Sequence, residues 1–508
     1  MSVAAAPERP LTAAGDRPAG RLPRLLAGVG RQHGILIALL LIAVLALTLR
    51  LAFSFRAPPF VTNDSLSYLL PGFDLVHGGA FSPILKRPPL YSLVIGGVIA
   101  AFGEELRALM LLQHLLGVGT VLLTFGIGRL LFGAGAGLLA AFLTAVSGPL
   151  IVTEQYLMSE TLFGFLLAGG LLAYLGAARV GNVSGRLGLL ALAGLMLALA
   201  ALTRPIAQLV LGLLLAALPL LLPRWRPALF GMATMLAVFG IVVLPWMLRN
   251  AAVQGTFAIA GGSGEGLAVR TIRYEQKFDF RAPPGGDPDR QTQRARGIFR
   301  GEAEDGSAFE LAKRLRVELG ITEIEAERYM RQFALEAILK QPGYYLTGTA
   351  DMFVQTFVGR PVRLRQDWQP WCNIAWEERV EHLLPEPSAV ETRSFNAAER
   401  LVTIYDPATV APVLALLSAV GVIGGALVRG RAGGVPILLL GVLVFGLLLA
   451  GAALIGIEWR YRFPLDPLIN VLAAGGLVTV VELARAGWQR VGRPRPDAAS
   501  AAPAGTAS

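Results

Sequence analysis

Acidic side chains at the ends of apolar stretches are the first residues of this sequence that could do chemistry, because polar groups near membrane helices are costly. Asp64 lies within segment 63–68, shortly after an apolar run, and Glu160 opens another run. A carboxylate at position 64 predicts a general base for an acceptor hydroxyl, an effect of about 10²–10⁴-fold. Taken alone, the same residue is more typical of an N-cap before a short helix over 66–77, and the two roles are compatible. Glu160 is expected either to bind a hydroxyl or a cation, or to complement a helix N-terminus.

Basic side chains stand at comparable places. Lys86 and Arg87 come directly before two prolines, Arg204 separates two apolar runs, and Arg460 and Arg462 precede the last run. A guanidinium can hold a phosphate with its planar fork of donors. Snorkelling to lipid headgroups, a simple turn or an aromatic-basic belt are the structural alternatives for these cations. Taken together, two acids and several arginines predict a site for an anionic lipid carrier, whose phosphate the arginines would stabilise.

The composition indicates the elements that must position these residues. The chain has 508 residues, 54% hydrophobic and only 16% charged, with a mean hydropathy of +0.58. Soluble domains carry about 25% charged residues, so this composition excludes an ordinary soluble enzyme, a disordered chain and a disulfide scaffold. We therefore predict an all-α polytopic membrane protein.

A membrane-spanning helix needs about 20 apolar residues. Runs of about that length give about ten predicted crossings, at 34–55, 107–130, 133–152, 161–178, 187–203, 205–222, 227–248, 409–428, 434–456 and 463–484. The run 89–102 is shorter and suits a re-entrant or juxtamembrane helix. If it does not cross, the positive-inside rule places most arginine-rich loops on the cytoplasmic side, and the candidate residues face outward.

The predicted organisation is a disordered cytoplasmic tail (1–33), a membrane core (34–248) with a first outer loop (56–88), and an extracytoplasmic, partly helical domain (249–408). The C-terminal membrane helices (409–484) and a second disordered tail (485–508) complete it. Within the extracytoplasmic insertion, the segment 281–320 is predicted to be loop or partly mobile structure. Thr322 and Glu325 have capping-box spacing, and Pro342 is expected to end one helix and open the next.

Several functional classes find no support in the residues. The net charge of +10 collects in tails and short loops, and we find no basic stripe with aromatics that would predict nucleic-acid binding. The single cysteine, Cys372, cannot form an intramolecular disulfide, and no Cys/His cluster predicts a metal site. We expect no cofactor.

Short motifs in a fixed order resemble the membrane-embedded GT-C glycosyltransferases. The motifs are the first-loop acid, the segment 86–91, and the segments 128–133, 158–160, 202–205, 244–250 and 460–464. The nearest group is glycosyltransferase family 39, with the protein O-mannosyltransferases, the aminoarabinose transferase of lipid A and the bacterial RgtA/B/C/D-like proteins. The resemblance covers about 34–260 and the last helices.

This resemblance implies an inverting transferase that moves a sugar from a polyprenyl-phosphate carrier to an acceptor hydroxyl on the outer face of a bacterial-type inner membrane. It implies Asp64 as the catalytic acid of the first loop, Glu160 as the second acidic residue, and Arg87 and Arg204 as contacts of the carrier phosphate. Substrate-binding positions are further expected at Lys86, Tyr91, Arg460 and Arg462.

The chain also departs from the pattern. Many relatives carry a second acid where this chain has Ser65, and a cation where it has Ser67. Asp64 must act without those neighbours. The expected partners are the lipid-linked donor, membrane lipid and a glycan, lipid or protein acceptor. A transporter or flippase for an anionic lipid is the alternative, although we see no inverted repeats that would favour it.

Overall fold

The structure is a computed structural model that describes residues 21–222, 224–272, 278–305, 310–358, 378–383, 410–456 and 461–491. The described residues are almost entirely helical. The first ten helices are α1 (Arg21–Ser54), α2 (Asn63–Val76), α3 (Leu90–Phe102), α4 (Leu106–Phe132), α5 (Ala134–Ala145), α6 (Gly148–Thr153), α7 (Glu160–Ala177), α8 (Val183–Ala201), α9 (Ala207–Leu221) and α10 (Trp225–Gln254). The others are α11 (Ser263–Ile272), α12 (Arg290–Asp305), α13 (Leu311–Leu319), α14 (Glu323–Lys340), α15 (Pro342–Val358), α16 (Val410–Leu454) and α17 (Asp466–Val491).

Within the described ranges, seven helices are long and apolar enough to cross a membrane, namely α1, α4, α7, α8, α10, α16 and α17. Helices α3, α5 and α9 are shorter and apolar. The prediction of an all-α polytopic membrane protein is therefore confirmed. The predicted run 133–152 is wrong as a single crossing, because it divides into α5 and α6. The break comes at Ser147, and Pro149 lies in the first turn of α6, where its missing N–H leaves no bond unmade.

The long helix α16 is a hairpin of two antiparallel halves. Gly430 has a non-helical backbone with φ of 61° and ψ of −170°, which only glycine adopts readily. Beyond this turn the halves lie side by side, since a Cβ on Gly434 would meet the Ala426 carbonyl and one on Gly441 would meet Val422. The two predicted crossings 409–428 and 434–456 correspond to these halves.

Glycines also permit close contact between α16 and α17. A Cβ on Gly421 would lie 2.1 Å from the Leu472 carbonyl oxygen, and one on Gly476 would lie 2.0 Å from that of Leu417. Without a hydrophobic driving force inside a bilayer, such small residues let helix backbones approach and pack. This pair of helices closes the bundle around α4 and α5.

The short helix α3 accompanies only the beginning of α4. Tyr91 at its start donates a hydrogen bond of 2.8 Å to Gln113, about two turns into α4. Two arginines predicted to be cytoplasmic lie at the far end of α4, where Arg179 donates to the Leu130 carbonyl and Arg429 covers the Phe132 ring. These loops therefore share the end of the bundle that is opposite to Tyr91.

The described part of the insertion contains helices α11–α15, which we call the helical layer. The prediction of a loop over 281–320 is therefore wrong. This segment contains α12 and α13, whose apolar residues recur every three or four positions and bury Ala295, Phe299, Leu311 and Leu315 against Phe333 of α14. The charged residues between them hide this pattern from a composition argument.

Other local predictions hold within the described residues. The side chain of Thr322 caps α14, accepting the Glu325 N–H at 3.3 Å, while the Glu325 carboxylate accepts the Thr322 N–H at 2.8 Å. Pro342 opens α15. The predicted disordered tails are wrong in part, because α1 begins at Arg21 and α17 continues to Val491. The remainder of both tails, and Cys372, lie outside the described residues.

A surface cluster ties residues 378–383 to the first helices. His77, at the end of α2, and His382 both bond the carboxylate of Glu104. The bond of His77 Nδ1 with the Phe73 carbonyl raises the pKa of His77, and Glu104 and the nearby Asp74 raise it further. The bond with His382 lowers the pKa of Glu104, and His77 lowers it further.

Close packing predicts that Gly476→Ala destabilises the protein. The added Cβ would meet a backbone oxygen that cannot move alone, and overpacking typically costs about 1–3 kcal/mol. We expect a lower unfolding temperature in detergent micelles. Gly446→Ala, on the neighbouring helix α16, is the matched control, since nothing lies within 4 Å of its added Cβ. Equal stability of the two variants would contradict the close contact.

The His77–Glu104 contact predicts a pH window of stability. Because the pKa of His77 is raised on folding, its contact contributes to the free energy of unfolding. This contribution is complete below the ordinary pKa of 6.5 and is lost as pH rises through the folded pKa. The pKa of Glu104 is lowered on folding, so its contribution to the free energy of unfolding is complete above the ordinary pKa of 4.5. That contribution is lost as pH falls through the folded pKa. The difference in melting temperature between wild type and Glu104→Gln should therefore be largest at about pH 5–6 and shrink with salt. A difference that grows towards pH 8 would refute the contact.

Candidate active site

The start of α2 presents Asp64 towards the rest of the site. Thr62 is the N-cap residue of α2, and the Ser65 hydroxyl accepts its backbone N–H at 2.9 Å. Asp64 is therefore not the cap, and the capping interpretation of this residue is wrong. Its carboxylate instead forms an ion pair of 2.5 Å with the Arg87 guanidinium.

Arg87 binds three residues of α2 at once. Besides Asp64, its Nε donates to the Ser67 hydroxyl at 2.9 Å and its Nη1 to the Tyr68 hydroxyl at 3.2 Å. Its guanidinium carbon also lies 4.6 Å from the centre of the Tyr68 ring. The Ser67 hydroxyl occupies the place where many relatives are expected to carry a cation, and here it serves as an acceptor for Arg87.

The same contacts continue to α7 and the loop after α8. The hydroxyls of Tyr68 and Ser159 are 3.1 Å apart, and Arg204 Nε donates to Ser159 at 3.1 Å. Arg204 Nη2 also forms a short ion pair with Glu160. A backbone bond of 2.9 Å from the Leu90 N–H to the carbonyl of residue 202 joins the start of α3 to the end of α8.

These six residues form one continuous set of contacts, which we call the site network: Asp64, Arg87, Tyr68, Ser159, Arg204 and Glu160. The structure thus brings together the four residues that the sequence singled out as acid, base and phosphate contacts. The side chains of Asp64, Arg87 and Arg204 are 28%, 14% and 15% exposed, whereas Glu160 is 3% exposed. Among the described residues the Nη1 group of Arg204 has no partner, so donors remain for an incoming anion.

Lys86 faces the helical layer of the insertion. Its ammonium lies 2.9 Å from the Glu265 carboxylate in the first turn of α11. The backbone N–H of Gly264 donates in turn to Glu327 of α14 at 2.8 Å. Burial raises the pKa of Glu327, although these backbone bonds oppose the shift. Lys86, which the sequence predicted as a substrate-binding position, therefore links the site to the insertion.

The other predicted substrate-binding positions, Tyr91, Arg460 and Arg462, do not belong to the site network. Tyr91 is fully buried, and its ring packs at 5.1 Å against Tyr68, so it supports the network from behind. Arg462 is buried and bonds Asp466 at 2.9 Å and the Thr356 carbonyl. Its neighbour Tyr461 lies under the Arg204 guanidinium at 5.6 Å. Arg460 lies outside the described residues.

Sequence reasoning missed three residues that lie behind the network. Arg50, His114 and Glu154 are buried, and the Glu154 carboxylate lies 2.8 Å from both Arg50 Nε and His114 Nδ1. We call them the anchor cluster. Glu154 and Glu160 line the same cavity of about 30 Å³, which has room for one or two waters. Arg50 and His114 lie within predicted apolar runs and Glu154 follows the end of one, so ionisable residues in or beside such runs were the available signal.

No group of three or more His, Cys, Asp or Glu in the part of the chain that the structure describes is arranged to hold a metal ion.

Residues 86–248 match the family model of dolichyl-phosphate-mannose-protein mannosyltransferases. A search of curated proteins finds no match.

Solved structures give a likeness of fold. The oligosaccharyltransferase of Archaeoglobus fulgidus in complex with Zn and sulfate has a TM-score of 0.50 and 14% identity, over 88% of this chain and 49% of that one. The archaeal oligosaccharyltransferase AglB from Archaeoglobus fulgidus, in complex with an inhibitory peptide and a dolichol-phosphate, has a TM-score of 0.49 and 14% identity, over 92% of this chain and 53% of that one. ArnT from Cupriavidus metallidurans bound to undecaprenyl phosphate has a TM-score of 0.38 and 13% identity, over 91% and 81%.

The chain spans about half of the length of the oligosaccharyltransferases that it matches. Identities this low speak for the fold alone. The expectation drawn from the sequence motifs is nevertheless confirmed at that level: the chain has the fold of the GT-C glycosyltransferases, and residues 86–248 match the mannosyltransferase family among them.

Proposed function

We propose that the protein is an inverting glycosyltransferase that moves a sugar from a polyprenyl-phosphate carrier to an acceptor hydroxyl. The observation that carries this proposal is the site network, which joins two carboxylates and two arginines at one end of an apolar bundle. The matched mannosyltransferase family, whose name includes a lipid-phosphate sugar, supports the donor class.

The ion pairs define how a donor would enter. Asp64 and Glu160 each neutralise one arginine, and an incoming phosphate competes for these cations. Arg204 can bind it with its Nη1 group, which has no partner among the described residues, while keeping Glu160. Arg87 can turn from Asp64 to the phosphate, because a guanidinium has five donors in a planar fork. Donor binding then releases the carboxylate of Asp64.

The released carboxylate acts as the general base in this mechanism. It takes the proton of the acceptor hydroxyl, whose oxygen attacks the anomeric carbon from the side opposite to the phosphate. The bond between the anomeric carbon and the phosphate oxygen breaks, and its electron pair leaves with the polyprenyl phosphate. The arginines stabilise this leaving charge in surroundings of low dielectric constant, where such interactions are strong.

We place this site on the extracytoplasmic face of a bacterial-type inner membrane. The arginine-bearing loops at the far end of α4 support this orientation, because Lys and Arg collect in short cytoplasmic loops. The acceptor is a glycan, lipid or protein hydroxyl outside the cytoplasm.

Replacing the proposed base separates chemistry from binding. We expect Asp64→Asn to lower the rate of sugar transfer by about 10²–10⁴-fold, the usual contribution of a general base. Binding of the donor should be unchanged or tighter, because Arg87 loses its competing carboxylate. Transfer is measured with extracted polyprenyl-phosphate sugars and membranes that contain equal amounts of protein. Asp74→Asn, the same change further along α2, is the control. Undiminished transfer by Asp64→Asn would overturn the role.

Replacing Arg204, a proposed phosphate contact, should change donor binding, whereas replacing Asp64 should change the rate of sugar transfer. Arg204→Lys keeps the charge but removes the fork of donors, and a hydrogen bond to a charged group contributes about 1.5–3 kcal/mol. We expect the KM for the lipid-linked donor to rise about tenfold or more in the same assay. Arg226→Lys, on a helix end remote from the network, is the control. If Arg204→Lys leaves the donor KM unchanged while liposomes containing wild type translocate the donor without transfer, the flippase alternative is favoured.

A further inference from the structure

Two loops lie side by side immediately before the two acids of the site network. One, residues 55–62, leads to α2 and Asp64, and the other, residues 154–159, leads to α7 and Glu160. The Phe60 N–H donates to the Gln155 carbonyl at 2.8 Å, and the N–H of residue 157 donates to the Phe60 carbonyl at 2.9 Å. This bridge fixes the register of one loop against the other, and therefore of one acid against the other.

Side chains reinforce the same bridge. Gln155 Nε2 donates to the carbonyls of Ala57 at 2.9 Å and Pro58 at 3.1 Å. Thr62 and Met158 are in contact at the end of the bridge, with 3.6 Å between Oγ1 and Sδ. The second loop thus holds the first one along its length, and the position of Asp64 depends on where the second loop is held.

The anchor cluster holds that second loop. Arg50 of α1 places Nη2 2.9 Å from Glu154 Oε1 and donates through Nη1 to the Ala145 carbonyl. His114 of α4 bonds Glu154 through Nδ1 and Gln155 through Nε2, both at 2.8 Å. The loop is therefore attached to two long helices through one carboxylate.

The surroundings of Glu154 are shaped for this carboxylate. A Cβ on Gly117 would lie 2.2 Å from Glu154 Oε1, so only glycine leaves room for it on α4. One turn earlier, Gln113 donates to the carbonyls of Glu154 at 2.9 Å and Tyr156 at 2.8 Å. Helix α4 consequently receives the loop with three residues on one face.

Stability alone is a weak explanation for the anchor cluster. Taking charges out of water costs several kcal/mol per ion, and well-packed apolar residues often stabilise a protein as much as or more than a buried ion pair. Ionisable residues inside membrane proteins mark functional sites by default. None of the three residues belongs to the site network, but the loop that they hold does, through Ser159.

We infer that Glu154 is a positioning residue: it anchors the loop 154–159 to α1 and α4, and so fixes the separation of Asp64 from the Glu160–Arg204 pair. This inference rests on the proposed function for its effect on the reaction. It rests on the bridge between the two loops for its effect on structure.

The first test divides turnover from donor binding. Misplacement of reacting groups by about 1 Å can cost about 10²-fold in rate. We expect Glu154→Gln to lower kcat at saturating donor by about 10- to 100-fold, with a change in donor KM below about threefold, and Glu154→Asp to regain part of the loss. Ser418→Ala removes another buried hydrogen bond, to the Ile469 carbonyl, and should keep wild-type kinetics. A fall in kcat equal for Glu154→Gln and Ser418→Ala would overturn the inference.

A second variant covers the case in which Glu154→Gln fails to fold. Gly117→Ala displaces the carboxylate without removing its charge and should reproduce the loss of kcat. Gly97→Ala adds the same atom where nothing lies within 4 Å and is its control. Wild-type kinetics of a folded Gly117→Ala protein would contradict the positioning role.

The third test does not depend on activity. Cysteines replace Thr62 and Met158 in a Cys372→Ser background, and the rate of disulfide formation in membranes reports whether the two loops stay in contact. We expect rapid cross-linking with Glu154 present, at least tenfold slower cross-linking in Glu154→Gln, and recovery of turnover when the disulfide is closed in that variant. Equal cross-linking rates would refute the inference even if transfer is observed. Absence of transfer in wild type, with the cross-linking difference intact, would refute the proposed function alone.

Discussion

The cost of leaving a charge unpaired inside an apolar bundle is the constraint on which this structure depends. Each acid of the site network lies against an arginine, and Glu154 behind them lies against two basic groups. Pairing requires that the beginnings of α2 and α7 and the loop after α8 lie at the same level, since side chains reach only a few ångströms. The charges therefore fix the arrangement of the helix ends, and the apolar residues supply the contact area between them.

In the proposed mechanism, the same constraint keeps the resting site inactive. Asp64 is paired with Arg87 until the phosphate of the donor displaces it. Chemistry is then coupled to occupancy, because the proposed base becomes available only when the leaving group is bound.

The sequence identifies the acids and arginines because each interrupts or borders an apolar run, where a charge is conspicuous. It identifies the crossings for the same reason, and it errs where a break is made by Ser147 and Pro149 inside one run. The contributions of Tyr68 and Ser159 cannot be read from spacing, since their hydroxyls matter through partners about 90 positions away. Helices α12 and α13 were missed because charged residues surround a narrow apolar stripe. The anchor cluster was missed because membrane helices were predicted from the length of apolar runs, and such a criterion passes over a single polar residue in or beside a run.

The ion pair between Lys86 and Glu265 has a consequence for how such a protein diversifies. The insertion helices reach the neighbourhood of the network through this pair and, at the other side, through Arg462 and the Thr356 carbonyl. The layer is also attached to α16, where Arg270 donates to the Ala452 carbonyl and Tyr345 to the Ala453 carbonyl. It is thus held on its inner side, and its exposed face can change without moving the residues that we propose to hold the phosphate. In the proposed mechanism, the reaction and the choice of acceptor thus depend on different surfaces, and the boundary between these surfaces lies next to Arg87.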